Sequence, residues 1–464
     1  MFKGDLKLIK IFVYKKTHLV AYLYFDGKSY SFVYDSNYLN QADAEPISPK
    51  MPLTDNIEYS EKLFNVFEQL IPEGKDRKIL EKKANSANDF DLLPWLQHVY
   101  GDLQFSRTSL QLEQNNHYSI DYADFKNEIL GTNNFPNILD MDIDIDDKTL
   151  FPDQSDIYDV INNFTPSGLS GFQHKLSVVL SNNIIRQPHS TELTNYFIKP
   201  YSLNKAIPEY DTYLPHLAIN EHLFMSFAKN ELGFDVPWSG IVKLQQDREY
   251  HYIVKRFDRY QGYKFSHDEF ATLMGLDSET KYQTSSEKMF KRIKKYLSLP
   301  EERLILLQYY FYSMLIVHED MHTKNLSVRT EGKNIRMSPL YDIATTAIYQ
   351  NTYGYETHLP INGKRTNIRL KDFYVLVDLL DVERDIFNQA AANILWKYTY
   401  RLPIYFEKLA SMFPDTMVYK KSKIKFYGQK SRIIKSMPLA ETMIKNHQLR
   451  IKQLEKNGYY QQLN

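Results

Sequence analysis

Apolar and polar positions alternate along the first forty residues. Ile9, Ile11 and Val13, then Val20, Tyr22 and Tyr24, then Tyr30, Phe32 and Tyr34 fall at every second position, the period of a half-buried strand. Asp26-Gly27 between two of these runs is a hairpin signal. The period then changes. Leu63, Phe64, Phe67, Leu70 and Ile71 recur at helical spacing, and Pro72-Glu73-Gly74 is expected to end that helix. Residues 1–110 therefore predict a small α+β domain, and the polar, acidic stretch 111–160 a connector.

From about residue 165 the pattern restarts. Leu176–Leu180, Tyr196–Lys199, Ile241–Leu244 and Tyr250–Arg256 read as strands, and Ile219–Leu232 as an amphipathic helix ending at Gly233. Beyond them the chain is mainly helical, with elements expected over 287–298, 301–317, 370–380, 384–411 and 439–456. A sheet-bearing lobe (161–260) thus precedes a helical lobe (261–464), an order that suits a ligand cleft between the two. No repeat of fixed period is present.

Composition narrows the function classes. The chain of 464 residues is 43% hydrophobic, enough for folded cores. It has no cysteine, which excludes disulfides and Cys-ligated zinc. Lys+Arg and Asp+Glu are equal at 57 each, which argues against a generic polyanion binder. The strongest apolar run, Leu304–Val317, is interrupted by Gln308 and falls short of the ~20 residues that span a bilayer. The N-terminal lysines are interleaved with apolar residues instead of preceding a signal-peptide core, so a soluble intracellular protein is expected. Charge is uneven locally. Asp140, Asp142, Asp144, Asp146 and Asp147 resemble the start of a calcium loop but lack its glycine and closing glutamate, and read as a solvated linker. Residues 417–464 carry eleven Lys/Arg against Glu441 and Glu455, a partner surface or a solvated helical face.

The candidate chemistry centres on Val317-His318-Glu319-Asp320-Met321-His322-Thr323-Lys324-Asn325-Leu326-Ser327-Val328. His318-Glu319-x-x-His322 is the zinc-peptidase pattern, which needs both histidines on one helical face. Thr323, Asn325, Ser327 and Val328 are poor continuations of a helix, and a third ligand is unassigned among Glu331, Glu356 and His358. In a second reading, Asp320 and Asn325 have the spacing of a kinase catalytic loop. That reading makes further demands in order along the chain. Lys199 on a strand answers for the phosphate lysine, and Glu221 on the following helix for its orienting carboxylate. Tyr252–Arg259 supplies a strand leading into a hinge, and Asp342 in Ser338-Pro339-Leu340-Tyr341-Asp342 the metal-binding carboxylate after a short hairpin.

Taken together, Leu169-Ser170-Gly171-Phe172-Gln173-His174-Lys175, Ile198-Lys199-Pro200, Asn220-Glu221, Val254–Arg259, Glu319–Asn325 and Pro339–Asp342 resemble the HipA-type serine/threonine kinases, the toxins of HipBA-like toxin–antitoxin systems. Ile47–Leu53 and Phe64–Gly74 resemble that family's N-terminal subdomain. The resemblance covers most of the chain. It implies an α+β, two-lobed protein-kinase-like fold, with a β-rich N-lobe carrying an extra N-terminal α+β subdomain and a helical C-lobe. ATP and magnesium would occupy the cleft.

By position, the resemblance makes Asp320 the catalytic base, with His322 and Lys324 supporting the loop and facing the γ-phosphate. Asn325 and Asp342 become the metal ligands. Gly168, Ser170, Gly171, Gln173 and Lys175 belong to the segment that covers the phosphates, where Lys199, oriented by Glu221, meets them. Lys255 and Phe257 fall at the adenine hinge, and Asp258 toward the ribose. One departure stands out: the family's common autophosphorylated serine position holds Gly168 here, leaving Ser170 as the candidate, with Ser167 beside it. The resemblance further implies a protein substrate, such as an aminoacyl-tRNA synthetase, a DNA-binding antitoxin partner and a bacterial cytoplasmic location. A secreted effector kinase acting on host proteins, the zinc peptidase and a catalytically dead binding module are the alternatives. The last is disfavoured because lysine, catalytic Asp, Asn and metal Asp are all present.

Overall fold

A computed structural model of the chain describes residues 8–110, 127, 130–131, 134–161, 173–189, 192–260, 263–331, 334–350, 352–426 and 429–463, without the side chains of 421–434. The alternating N-terminal runs form the expected strands β1 (Ile9–Lys15), β2 (His18–Phe25) and β3 (Tyr30–Tyr34). With β4 (Glu58–Ser60) and β5 (Leu103–Ser106) they make one antiparallel sheet in the order β4-β3-β2-β1-β5. The Asp26 carboxylate closes the β2–β3 turn by accepting the Lys28 and Ser29 amides at 2.8 Å each, and Gly27 takes the left-handed φ of 93° that the turn needs. Ile11, Val13, Leu23, Phe32 and Phe67 form the centre of this domain's own core.

The expected helix before Pro72 is a single turn, Asn65–Glu68, whose cap residue Phe64 offers no side-chain hydrogen bond. Its apolar residues are buried all the same. The longer helix, Gly74–Ala84, starts where the first was expected to stop, with Glu73 at its cap position.

The second sheet runs β10-β11-β9-β7-β8-β6. Its strands are β6 (Asp142–Asp144), β7 (Leu176–Ser181), β8 (Ile184–Arg186), β9 (Tyr196–Lys199), β10 (Ser239–Val242) and β11 (His251–Lys255). Residues 134–161, expected as connector, are instead part of this body. β6 pairs in parallel with β8, and residues 137–139 pair in parallel with β10 at the opposite edge (Leu139 N donates to Ile241 O at 2.8 Å, Ile241 N to Asn137 O at 2.9 Å). The aspartates alternate with Met141, Ile143 and Ile145, so one set meets solvent while the other packs on the sheet.

The Leu217–Asn230 helix lies between this sheet and the helical lobe, with Ala218 through Ala228 all buried. The lobe is built from Ser286–Lys294, Pro300–Leu315, Leu370–Leu379, Arg384–Tyr400, Leu402–Met412 and Leu439–Lys456. The single helix expected over 384–411 breaks at Arg401 because Pro403 has no N–H to continue the ladder. Met417–Phe426 pairs antiparallel with Gln429–Pro438, and only from Leu439 is the basic C-terminal stretch helical. No helix among the described residues is long and apolar enough to cross a membrane.

A buried charge network docks the N-terminal domain onto the end of β11. The Arg256 guanidinium, 1% exposed, donates to the carbonyls of His98 (2.8 Å) and Val99 (2.7 Å) and grips Asp258 through two nitrogens at 2.9 and 2.7 Å. Arg259 donates to Asp258 at 2.9 Å and to the carbonyls of Val99 (2.6 Å) and Gly101 (2.7 Å), and the Gly101 amide donates to Asp258 at 2.8 Å. Burial alone would raise the Asp258 carboxyl, but the two guanidinium groups hold it far below the usual range. Asp258→Ala is therefore expected to destabilise the fold by about 3–5 kcal/mol, since it leaves two buried arginines without their anion. Chemical denaturation measures this.

Candidate active site

The cleft between sheet and helical lobe encloses about 460 Å³ and is lined from both sides. Lys175, Lys199 and Lys255 come from the sheet, and Asp320, Asn325 and Asp342 from the helical lobe. At its centre the Lys199 ammonium, on a side chain only 3% exposed, donates to Glu221 Oε1 (2.7 Å) and Oε2 (3.0 Å) and to Asp342 Oδ1. Lys175 meets Asp342 Oδ2 at 3.5 Å. Lys199 ends β9, where Pro200 stops the ladder. Glu221 lies in the buried Leu217–Asn230 helix, and its neighbour Asn220 is hydrogen-bonded to Thr345 through both its amide and its carbonyl oxygen (2.8 and 3.1 Å). Burial opposes ionisation of Asp342, but Lys175 and Lys199 outweigh it and keep the carboxylate charged.

The segment 317–326 is irregular. The Pro300–Leu315 helix ends before it, and Val317 sits at a left-handed φ of 57°, a conformation costing a β-branched residue on the order of 1–3 kcal/mol. Thr346 holds that turn, its amide and hydroxyl both donating to the Val317 carbonyl at 3.0 and 2.7 Å. Asn325 Nδ2 donates to the Asp320 carbonyl at 2.9 Å, which leaves the carboxamide oxygen for another partner. The Lys324 amide donates to His322 Nδ1 at 3.1 Å. Burial, then Lys281, keeps His322 neutral, so its proton sits on Nε2, 3.9 Å from Asp320 Oδ1. Lost hydration and then Asp342 push the Asp320 carboxyl up to about 6. Its side chain is 62% exposed to the cleft, so water filling the cleft tempers that rise.

The zinc geometry is absent at the two histidines. His318 and His322 lie beyond the helix, and His318 Nδ1 binds the Ala344 carbonyl at 2.6 Å. Glu319 accepts the amides of Tyr353, Gly354 and Tyr355 at 3.0, 2.8 and 3.2 Å. Among the described residues no group of three or more His, Cys, Asp or Glu is placed to hold a metal. Asp342 and Asn325 offer a different donor set, one ionised carboxylate and one carboxamide oxygen, which suits a hard cation such as magnesium.

The other expected residues divide. Gln173, Lys175, Lys255 and Phe257 line the cleft. Phe257 stacks on Tyr341 with ring centroids 5.6 Å apart, beside Tyr100 and His267, which stack at 5.1 Å; these rings make an apolar slot of the kind a purine fills. Asp258 is a correction. It does not face the cleft, because both its oxygens are held by Arg256, Arg259 and the Gly101 amide. Lys324 also lines the cleft, but its ammonium is bound by Glu73 Oε1 (2.7 Å) and Ser278 Oγ (2.8 Å). Ser167, Gly168, Ser170 and Gly171 lie outside the described residues. Tyr100, Lys205 and Tyr282 also line the cleft, and sequence reasoning missed them. None stands in a periodic or spaced pattern, so only their three-dimensional placement reveals them.

A family model described as the HipA-like C-terminal domain matches residues 167–399, and a HipA N-terminal domain model matches residues 11–105. A Haemophilus influenzae protein named "Putative kinase" is 28% identical over 204 residues, covering 40% of this chain and 54% of that protein, so the match spans about half of that relative. "Putative kinase Y4mE" of Sinorhizobium fredii is 24% identical over 330 residues, 68% of this chain and 72% of that protein. Among solved structures, a chain of the Shewanella oneidensis HipA, HipB and operator DNA complex superposes with a TM-score of 0.62 at 16% identity, covering 96% of this chain and 97% of that one. This likeness extends the fold assignment over both domains.

Glu319→Gln separates the two readings of the central motif. A carboxamide cannot receive three amides as a carboxylate does, so a loss of about 1–3 kcal/mol in folding stability is expected. A peptidase base would instead lose peptide hydrolysis at unchanged stability. Denaturation and a peptidase assay on one preparation distinguish them.

Proposed function

The chain belongs to the HipA-like kinase family, and on that premise we propose that it is an ATP- and magnesium-dependent protein serine/threonine kinase. The observation that carries the reading is the Lys199 ammonium held between Glu221 and Asp342 on the wall of a cleft whose opposite side presents Asp320 and Asn325. In this reading Lys199 and Lys175 neutralise nucleotide phosphates, and the aromatic slot around Phe257 takes the base. Magnesium, bound through Asp342 and Asn325, supplies charge neutralisation on the phosphates. Asp320 orients the acceptor Ser/Thr hydroxyl and takes its proton, while neutral His322 beside it keeps a donor toward the same carboxylate. Phosphoryl transfer asks mainly for such positioning and charge placement.

The substrate we propose is a translation component such as an aminoacyl-tRNA synthetase, and the control is autophosphorylation at Ser170. A DNA-binding antitoxin is the proposed partner, supported by the HipA, HipB and operator DNA complex to which the fold is similar. The bacterial cytoplasm is the setting this implies.

Incubation with γ-labelled ATP, magnesium and a cell lysate tests the reading. Labelling of a discrete acceptor protein is expected, and Asp320→Asn should lower the rate by about 10²–10⁴-fold, the usual contribution of a positioned base. Transfer surviving in that variant overturns the assignment. The rate should also fall as pH drops through about 6, because a protonated Asp320 cannot accept the hydroxyl proton; a bound cation moves the midpoint lower. Mass spectrometry of the 160–175 peptide after incubation with ATP reads Ser170 directly, and an unmodified peptide sinks the autophosphorylation step.

A further inference from the structure

Glu73 lies more than two hundred residues before the catalytic segment, in the Pro72-Glu73-Gly74 turn of the N-terminal domain. Its carboxylate nevertheless ends on that segment. Oε1 accepts the Lys324 ammonium at 2.7 Å, and Oε2 accepts the Lys281 ammonium at 2.9 Å. Both lysines are buried. Burial works against the Glu73 charge, yet the two ammonium groups hold its carboxyl down to about 2. Glu269 and Glu68 also act on Lys324, but Glu73 is the carboxylate that hydrogen-bonds both ammonium groups and so holds them side by side.

Each lysine leads to the reacting centre. Lys324 precedes Asn325, and its amide fixes His322 through Nδ1. The Lys281 carbonyl accepts the Thr323 hydroxyl at 3.0 Å. The next residue, Tyr282, donates to Asp320 Oδ1 at 3.4 Å and packs edge-on against His322 with centroids 4.8 Å apart. Glu73 also belongs to a seam. Ser48 Oγ meets Asp268 Oδ1 at 2.5 Å, the Thr272 hydroxyl meets Gln69 Oε1 at 2.5 Å, and Asn65 Nδ2 donates to the Leu276 carbonyl at 3.2 Å. The seam fixes the segment 268–282 that carries Lys281 and Tyr282.

We propose that Glu73 is a positioning residue for phosphoryl transfer, through which the N-terminal domain sets the geometry of Asp320 and Asn325. The inference rests on the kinase reading above and adds that the kinase lobes alone are an incomplete enzyme. Glu73 does not line the cleft, so nucleotide affinity and turnover should respond differently to its loss.

The test uses the full-length chain with Glu73→Gln. Mg·ATP affinity is expected to stay unchanged while kcat falls by about 10²-fold, the scale of an ångström-level misplacement. Amide hydrogen exchange across 318–326 should accelerate, and Glu73→Asp should restore part of the rate. An unchanged kcat with unchanged exchange overturns the proposal, as does a loss of kcat matched by an equal loss of affinity. Should the glutamine variant fail to fold, Ser278→Ala removes one hydroxyl from Lys324 and should give a smaller kcat loss at constant affinity; no loss overturns it. If the parent protein transfers no phosphate at all, the kinase reading falls, and the exchange measurement still decides whether Glu73 braces the loop.

Discussion

One buried ammonium holds the two lobes in register. Lys199 ends a strand of the sheet, Glu221 sits on the helix behind it, and Asp342 belongs to the loop of the helical lobe, and the three meet within hydrogen-bond distance. Removing Lys199 would leave two facing carboxylates with only the more distant Lys175 to balance them, at a cost of about 3–5 kcal/mol. The arrangement therefore constrains where β9, the Leu217–Asn230 helix and the Asp342 loop lie relative to one another. It also sets the cleft's chemistry. Lys175, Lys199 and Lys255 face the cleft from the sheet side and Asp320, Asn325 and Asp342 from the other, a polarity that suits a polyanionic nucleotide and a hard metal ion.

The segment 317–326 is fixed from outside itself. A strained Val317, a carboxylate clasped by three backbone amides and an asparagine tied to the Asp320 carbonyl replace the helical ladder that ends at Leu315. Each is a local cost offset by hydrogen bonds from elsewhere in the fold, and the result is an Asp320 carboxyl open to the cleft on a backbone that cannot relax. The N-terminal domain shares in this. Its Arg256–Asp258–Arg259 junction secures one end of the interface and Glu73 the other, so the domain is wedged against the cleft on two sides.

Much of this was legible in the chain. Alternation marks β1 to β3, and the order lysine, glutamate, aspartate, asparagine, aspartate marks Lys199, Glu221, Asp320, Asn325 and Asp342, which the fold brings to one cleft. What failed depended on long-range partners. Asp258 stands where a ribose contact was expected, but two neighbouring arginines and a glycine amide from residue 101 consume both its oxygens. Lys324 was expected to face phosphate, and its ammonium is taken by a carboxylate from residue 73. The aspartates of 140–147 looked like linker because only one face of β6 is apolar, and a parallel pairing with β8 cannot be read from a short alternating run. The helix expected before Pro72 shrank to one turn because its apolar residues are buried without needing helical pairing.

The nucleotide-phosphate site we propose rests on Lys199 and Asp342 together. Calorimetric titration of Mg·ATP into the parent protein and into Lys199→Met tests it most directly. The account predicts saturable binding to the parent and an affinity at least about tenfold weaker in the variant, a difference of ~1.4 kcal/mol for the lost charge. Equal affinity in the two proteins, with both folded, would contradict it.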